Sequence, residues 1–388
     1  MTRPKTHVTG PVLAALTLMA LSVGCVKRAE IIAVMPDGKV ELVTFFNGDK
    51  DDVLGGSDPA RPAGDPPPSA AAGWVVNSKD GKDGDKEKTT VAATMSLNAG
   101  AAIPTTYADP NSAVASAATR FNTQIAIEER DNGTYYHFKR TYLRRRWAPF
   151  EFHRKQILES DNIKKLMEND PKTMSPADRK VVVDAMVAVE TEQQIELLDM
   201  AISRVGNGVP QLAQLAATQQ IREFTSQAGL GEKIMETLMS SNGAEDAPEL
   251  EAKLHARIDA AVAKALTDAG TDHSIANATV EALQAARMEF QVSKDLEDDS
   301  WDVQVVLPGK VVAHNGSDEP ETIEASDLDE PENKDSDDPT SKAAFVLAGK
   351  LRPFVDSPGL QNVSWSFKFD ALQDRDVVLM ASSFVPKK

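Results

Sequence analysis

From about residue 150 to residue 298 the apolar residues of this chain recur at helical spacing, and on either side of that stretch they alternate or cluster as strands do. Ser175-Pro176-Ala177-Asp178 opens one helix with an N-cap serine, a proline at the first helical position and an acid at the third. Those residue types satisfy or dispense with the orphan N–H groups of a helix start. Val182, Met186, Val189, Ile195, Leu198, Ile202 and Val205 continue the stripe until Gly206-Asn207-Gly208 ends it. Leu250, Leu254, Ile258 and Val262 make a second stripe, and Leu283, Ala286 and Phe290 a third. Shorter helices are expected over 210–227 and 231–241.

The flanks carry strand chemistry. In "RAEIIAVMPDGKVELVTFF" two β-rich runs surround Pro36-Asp37-Gly38, where proline presets φ and glycine supplies the left-handed residue of a hairpin turn. Residues 47–72 are rich in Pro, Gly and Asp and are expected to form a loop. Residues 73–78 and 89–97 then make a hairpin around the polar tip "KDGKDGDKEK". Asn132-Gly133 marks a turn between 124–129 and 134–143. After the helices, 301–316, 362–369 and 376–385 return to strands, separated by an acidic stretch, 317–339, expected to be a disordered, solvated loop. The expected fold is α+β, an antiparallel sheet built from N- and C-terminal segments (25–149 and 299–388) with a long helical subdomain (150–298) inserted.

A net charge of −17 argues against nucleic acid as a partner, since phosphate binding needs a basic face. One cysteine in 388 residues leaves no intramolecular disulfide, and no Cys/His set has zinc spacing. Arg3 and Lys5 precede an apolar stretch from Val8 to Gly24, broken by Thr9, Gly10, Pro11, Thr17 and Ser22. That is the build of an export signal over 1–24, too short and interrupted for a comfortable span of about 20 residues. The lone cysteine, Cys25, stands where the apolar run ends.

Leu21-Ser22-Val23-Gly24-Cys25 resembles the bacterial lipobox, with Ser22 where leucine is commoner. The resemblance implies cleavage before Cys25, a diacylglyceryl group on its sulfur and acylation of the new amino group. Val26 stands where Asp would signal inner-membrane retention in enterobacteria, so by that analogy the destination is the outer membrane, facing periplasm or cell surface. An ordinary secretory signal with an incidental cysteine, or an uncleaved anchor, is the alternative reading. The chain ends resemble the LppM-type domain of bacterial lipoproteins, on Pro308, Gly309, Asn315, Gly316 and Trp365. This second resemblance covers about a quarter of the chain and implies an α+β sheet on an envelope lipoprotein, without catalytic residues.

Lys139, Arg140, Arg144, Arg145 and Arg146 concentrate positive charge among aromatics in an acidic protein. They read either as a contact for anionic lipid headgroups or as a solvated strand end neutralised by neighbouring acids. Asp83, Asp85 and Glu87 suggest calcium but fail the EF-hand pattern, with Lys88 where the turn glycine belongs and Thr94 at the twelfth position. His153 beside Glu151 and His273 beside Asp272 read as surface residues, and no P-loop, GxSxG or HExxH occurs. The expectation is therefore a lipid-anchored envelope protein of binding or structural role, with no cofactor, no metal and no catalytic residue. Its partners would be the membrane through the anchor and other envelope proteins or anionic lipids. A carrier of an apolar ligand, or a hydrolase whose site is assembled from distant residues, is the alternative.

Overall fold

The computed structural model describes residues 26–54, 67–83, 86–109, 115, 117–168, 174–227, 243–296, 299–317, 319–328 and 338–387. The chain forms two compact units, a sheet unit that ends at Arg145 and resumes at Val292, and a helical unit over Arg146–Gln291. The fold is α+β with a long inserted helical region.

In the sheet unit, β1 (Lys27–Val34) and β2 (Val40–Asp49) pair around the Pro36-Asp37-Gly38 turn, with Gly38 at φ 81° and the Gly38 N–H donating to the Met35 carbonyl at 2.9 Å. A short helix, α1 (Lys50–Leu54), follows β2 and buries Val53, inside the stretch expected to be loop. The next hairpin, β3 (Val75–Asp83) and β4 (Lys86–Leu97), is longer than its apolar residues suggest, because residues 79–83, four of them charged and the fifth Gly81, continue the ladder. β5 (Phe121–Arg130) and β6 (Gly133–Tyr142) pair as expected, but the two-residue loop is Asp131-Asn132 and Gly133 already faces Arg130.

After the helical unit come β7 (Ser300–Pro308), β8 (Lys310–His314) and the two-residue β9 (Glu321–Thr322), then a helix, β10 (Leu360–Lys368) and β11 (Val377–Pro386). These strands make two sheets rather than one. The first has the order β3-β4-β2-β1-β7-β10-β9 and the second β5-β6-β11-β8. Every pairing is antiparallel except β1 with β7, which run parallel with Ile31 beside Gln304. A parallel neighbour needs a long crossover connection, and β7 follows the entire helical insertion.

β1 is buried on both faces, which explains its almost unbroken apolar run. Ala29, Ile31 and Ala33 pack against the helix that precedes β10, Pro339–Leu351, through Ala343, Ala344, Leu347, Ala348 and Leu351. The same cluster takes in Ile323 and Leu328, 1% and 3% exposed. The acidic stretch is thus not wholly solvated: its few apolar residues are pulled under the sheet, while 329–337 lie outside the described residues. The opposite face of β1 presents Arg28 and Glu30, and Glu30 reaches Tyr142 and Arg140 of the second sheet.

One glycine lets the chain pass from sheet to sheet. β7 and β8 are separated only by Gly309, at φ 76°, whose N–H donates to the Gly359 carbonyl at 2.8 Å. Beside it the Ser383 hydroxyl donates to the Pro308 carbonyl at 2.6 Å. Asn315 makes a second joint: its Oδ1 accepts from the Met380 N–H at 2.7 Å and from Trp365 Nε1 at 3.1 Å, and its Nδ2 donates to the Val378 carbonyl at 2.7 Å. Pro308, Gly309, Asn315, Gly316 and Trp365 therefore gather where the sheets meet.

The helical unit contains α2 (Ala148–Leu158), α3 (Asp161–Met167), α4 (Pro176–Val205), α5 (Gln211–Gln227), α6 (Gly243–Asp268) and most of α7 (His273–Asp295). Pro339–Leu351 is α8. The Ser175 hydroxyl accepts from the Asp178 N–H at 3.2 Å, the expected cap of α4, and Gly206 ends the helix at φ 78°. Leu197, Leu198, Ala217, Ile221, Ile258, Leu266, Leu283 and Ala286 form its interior. The helix expected over 231–241 lies outside the described residues.

A Cβ at position 309 would strike the Phe384 carbonyl and approach Val385 Cγ2 to 2.7 Å, in a backbone conformation that side chains disfavour. Gly309→Ala is expected to lower the stability of the sheet unit by about 2–4 kcal/mol. Urea unfolding followed by tryptophan fluorescence measures the shift.

Candidate functional site: an ion-paired aromatic cleft in the sheet unit

Strand alternation puts Tyr136, Phe138, Arg140 and Tyr142 of β6 on the face turned inward, all buried. Arg140 is fully enclosed. Its guanidinium pairs with Glu30 of β1, donates from Nη2 to the Tyr107 hydroxyl at 2.9 Å, and lies 3.7 Å from the centroid of the Phe121 ring. The Tyr142 hydroxyl donates to the other Glu30 oxygen at 2.6 Å. Burial holds the Glu30 carboxyl above its ordinary range, against the opposing pull of Arg140 and Tyr142.

A second buried pair stands one pleat away. Arg28 donates from Nε and Nη2 to Asp299 Oδ2 at 3.1 and 2.8 Å, with its guanidinium 5.4 Å from the ring centroids of both Phe46 and Trp301. Arg28, Glu30, Thr44, Tyr107, Phe121 and Trp301 line the cleft between these pairs. It holds about 380 Å³ of empty space counted with its open mouth, yet its enclosed part admits on the order of one water molecule. Thr44 Oγ1 is buried there with no hydrogen-bond partner among the described residues, a polar atom suited to hold such a water.

This geometry has a definite chemical character. Both Glu30 oxygens are engaged, by Arg140 and by Tyr142, so neither is presented as a base. The charges close on one another, and the aromatic rings exclude water around them. Such a cluster specifies which strand faces which, and costs desolvation energy that only intact pairing offsets.

The basic segment is divided between interior and solvent, by strand alternation at Lys139 and Arg140 and beyond the end of β6 at Arg144 and Arg145. Arg140 is internal, and so is Arg145, 4% exposed, which donates from Nε to the Ser293 hydroxyl and from Nη2 to the Ala117 carbonyl, each at 2.7 Å. A headgroup contact needs side chains in water, so the expectation of one is corrected for these two. Lys139 and Arg144 are exposed, and Arg146, in the helical unit, is exposed with Nη2 3.3 Å from Glu196. His153 also reaches Glu196, at 3.2 Å, while Glu151 pairs with Lys155. Cys25 lies outside the described residues. Among the described residues there is no group of three or more His, Cys, Asp or Glu placed to hold a metal ion, and no helix is long and apolar enough to cross a membrane.

The helical unit has a polar cluster of its own. Gln194 of α4 is fully buried, accepts from Arg287 Nε at 2.9 Å and lies 3.3 Å from His255 Nε2. Arg287 also donates to Asp259 Oδ1 at 2.5 Å, Gln284 donates to Asp259 Oδ2, and Gln194 Nε2 donates to Glu190. Burial, and then the Arg287 charge, push the His255 imidazole down to about 4, with Asp259 opposing. The signal for this cluster is present in the sequence as polar residues in phase with the apolar stripes: Arg287 follows Leu283 by four, and His255 precedes Ile258 by three.

Two outcomes follow. Arg140→Met, which leaves Glu30 buried without its cation, is expected to destabilise the sheet unit by about 3–5 kcal/mol, and Glu30→Leu combined with it by less than the two changes summed; a urea double-mutant cycle measures both. For His255, a folded-state value below the unfolded one means stability that is complete above about pH 6.5 and is lost as pH falls towards 4, up to about 3 kcal/mol. Melting followed by the helical circular-dichroism signal should fall between pH 7 and pH 4.5 in the native chain, and less in His255→Gln. No protein-family model, curated protein or solved structure matches the chain.

Proposed function

We propose that the mature chain begins at Cys25, is tethered to a bilayer by acyl chains on that residue, and serves a binding or structural role in the cell envelope, at the outer membrane. The observation that carries this reading is the position of the only cysteine, at the end of an apolar leader with a small residue before it. Each buried acyl CH₂ contributes about 0.8 kcal/mol, so one chain holds marginally and two or more hold stably.

A non-catalytic role is supported by the chemistry of the cleft. Its ionisable groups are paired internally, Arg28 with Asp299 and Arg140 with Glu30, rather than converging on free space. Of the remaining basic side chains of the 139–146 segment, Arg146 meets Glu196, and Lys139 and Arg144 are the ones open to anionic headgroups or to acidic surfaces of neighbouring envelope proteins.

Cys25→Ser removes the sulfur to which acyl chains would be attached. The variant is expected to keep its leader, to migrate more slowly on a denaturing gel, and to lose incorporation of a labelled fatty acid. Label incorporation and mobility equal to those of the native chain would refute the anchor.

A further inference from the structure

We propose that the end of the seven-stranded sheet from which β1 starts is the surface that rests on the phospholipid bilayer, with α1 and the β3–β4 hairpin lying against the headgroups. The inference rests on the acylation of Cys25 proposed above and adds an orientation to it. Its first ground is the absence of slack between anchor and fold. Val26 is buried against Phe46, Val53 and Val91. The backbone of Gly48 passes so close that a Cβ there would stand 3.1 Å from Val26 Cγ2. Consecutive Cα atoms are ~3.8 Å apart, so acyl chains on Cys25 must leave the protein beside this packed corner.

The strand register then says what lies at that corner. Lys27 stands opposite Asn47 on β2 and Ser300 on β7, and Ser300 stands opposite Lys368 on β10. Asn47 in turn faces Thr90 on β4. From Thr90 the β3–β4 ladder runs on to the Lys86–Asp83 pair, four residues and so about 13 Å past the start of β1. α1 sits against the base of this projection, where Lys50 Nζ meets Asp80 Oδ2 at 2.6 Å and Lys88 Nζ meets Asp49 Oδ1 at 2.5 Å. Leu54, at the end of α1, is 45% exposed.

The balance of charge at this end suits the same occupant. The chain as a whole has 59 acidic against 42 basic residues. Within 79–88, however, Lys79, Lys82, Lys86 and Lys88 balance Asp80, Asp83, Asp85 and Glu87, and beside them Lys27, Lys50 and Lys368 balance Asp49, Asp51 and Asp52. Lys27 and Lys368 begin and end the adjoining strands. An acidic surface would be repelled by anionic lipid, and an edge of balanced charge removes that repulsion where the acyl chains hold the chain down. With two or more acyl chains holding the corner down, the projecting hairpin meets the headgroups at an effectively high local concentration.

The absence of any other cysteine gives a clean test, because an acylated Cys25 leaves no free thiol. The full acylated chain carrying Leu54→Cys, Lys82→Cys or Asn98→Cys is labelled with a fluorophore and reconstituted into vesicles of phosphatidylethanolamine and phosphatidylglycerol containing a headgroup-spin-labelled lipid. All three positions are exposed, and Asn98 follows the far end of β4, about 40 Å from Lys86. Loss of fluorescence is expected at positions 54 and 82 and little or none at 98. Equal loss at all three, or loss confined to 98, overturns the orientation. Partition of the same samples into a detergent phase reads the anchor separately: protein left in the aqueous phase overturns acylation, and protein in the detergent phase with uniform quenching overturns the orientation alone.

Discussion

The structure of the sheet unit depends on β1 being buried on both faces. A strand in that position must satisfy two partners in the ladder and two layers above and below, and Lys27–Val34 does so with β2 and β7 at its sides, α8 over Ala29, Ile31 and Ala33, and β6 across from Glu30. The apolar layer supplies stabilisation in proportion to the area it removes from water. The charged layer does something different. Buried pairs such as Glu30–Arg140 and Arg28–Asp299 contribute little net stability, but a shift of one residue would reverse every side chain and strand both pairs in the apolar layer. Register is thereby fixed at a central strand of the first sheet, where Glu30 meets β6 of the second.

The second constraint is the passage between sheets. A single residue, Gly309, separates β7 in the first sheet from β8 in the second, and Asn315 then binds backbone groups of β11 while accepting from Trp365 of β10. These contacts are short-range and directional, whereas the layers they join are held by non-directional burial. Together they explain why the late strands "WDVQVVLPGKVVAHNG" distribute between sheets instead of extending one.

Elements governed by local chemistry were legible in the sequence, and those governed by distant pairing were not. Pro36-Asp37-Gly38 and Ser175-Pro176 announce a turn and a cap within a few residues, and both form as expected. The β5–β6 turn was read from Asn132-Gly133 yet closes on Asp131-Asn132, since register is decided by which β6 residues must face inward. Parallel pairing of β1 with β7 joins residues some 270 apart, as in Arg28 and Trp301, and leaves no local trace. α8 is a short helix that directly follows the acidic stretch, and its one local signal is the cap formed by Asp338, Pro339 and Ser341. Composition alone groups Arg140 and Arg145 with a surface patch, and only for Arg140 does strand phase say otherwise. Tyr136, Phe138, Arg140 and Tyr142 share a parity, and parity was the signal that Arg140 belonged inside.

Placing the doubly buried strand directly after Cys25 links the proposed anchor to the most constrained part of the fold. Force or restraint applied at the membrane is then borne by β1 and its two ladders rather than taken up by a linker. That account makes β1 the most protected strand of the sheet unit. Amide hydrogen exchange resolved by strand tests it: the N–H groups of Ile31, Ile32 and Ala33 should exchange last, well after those of the edge strand β3. Exchange of β1 as fast as β3 would contradict the central place given to it.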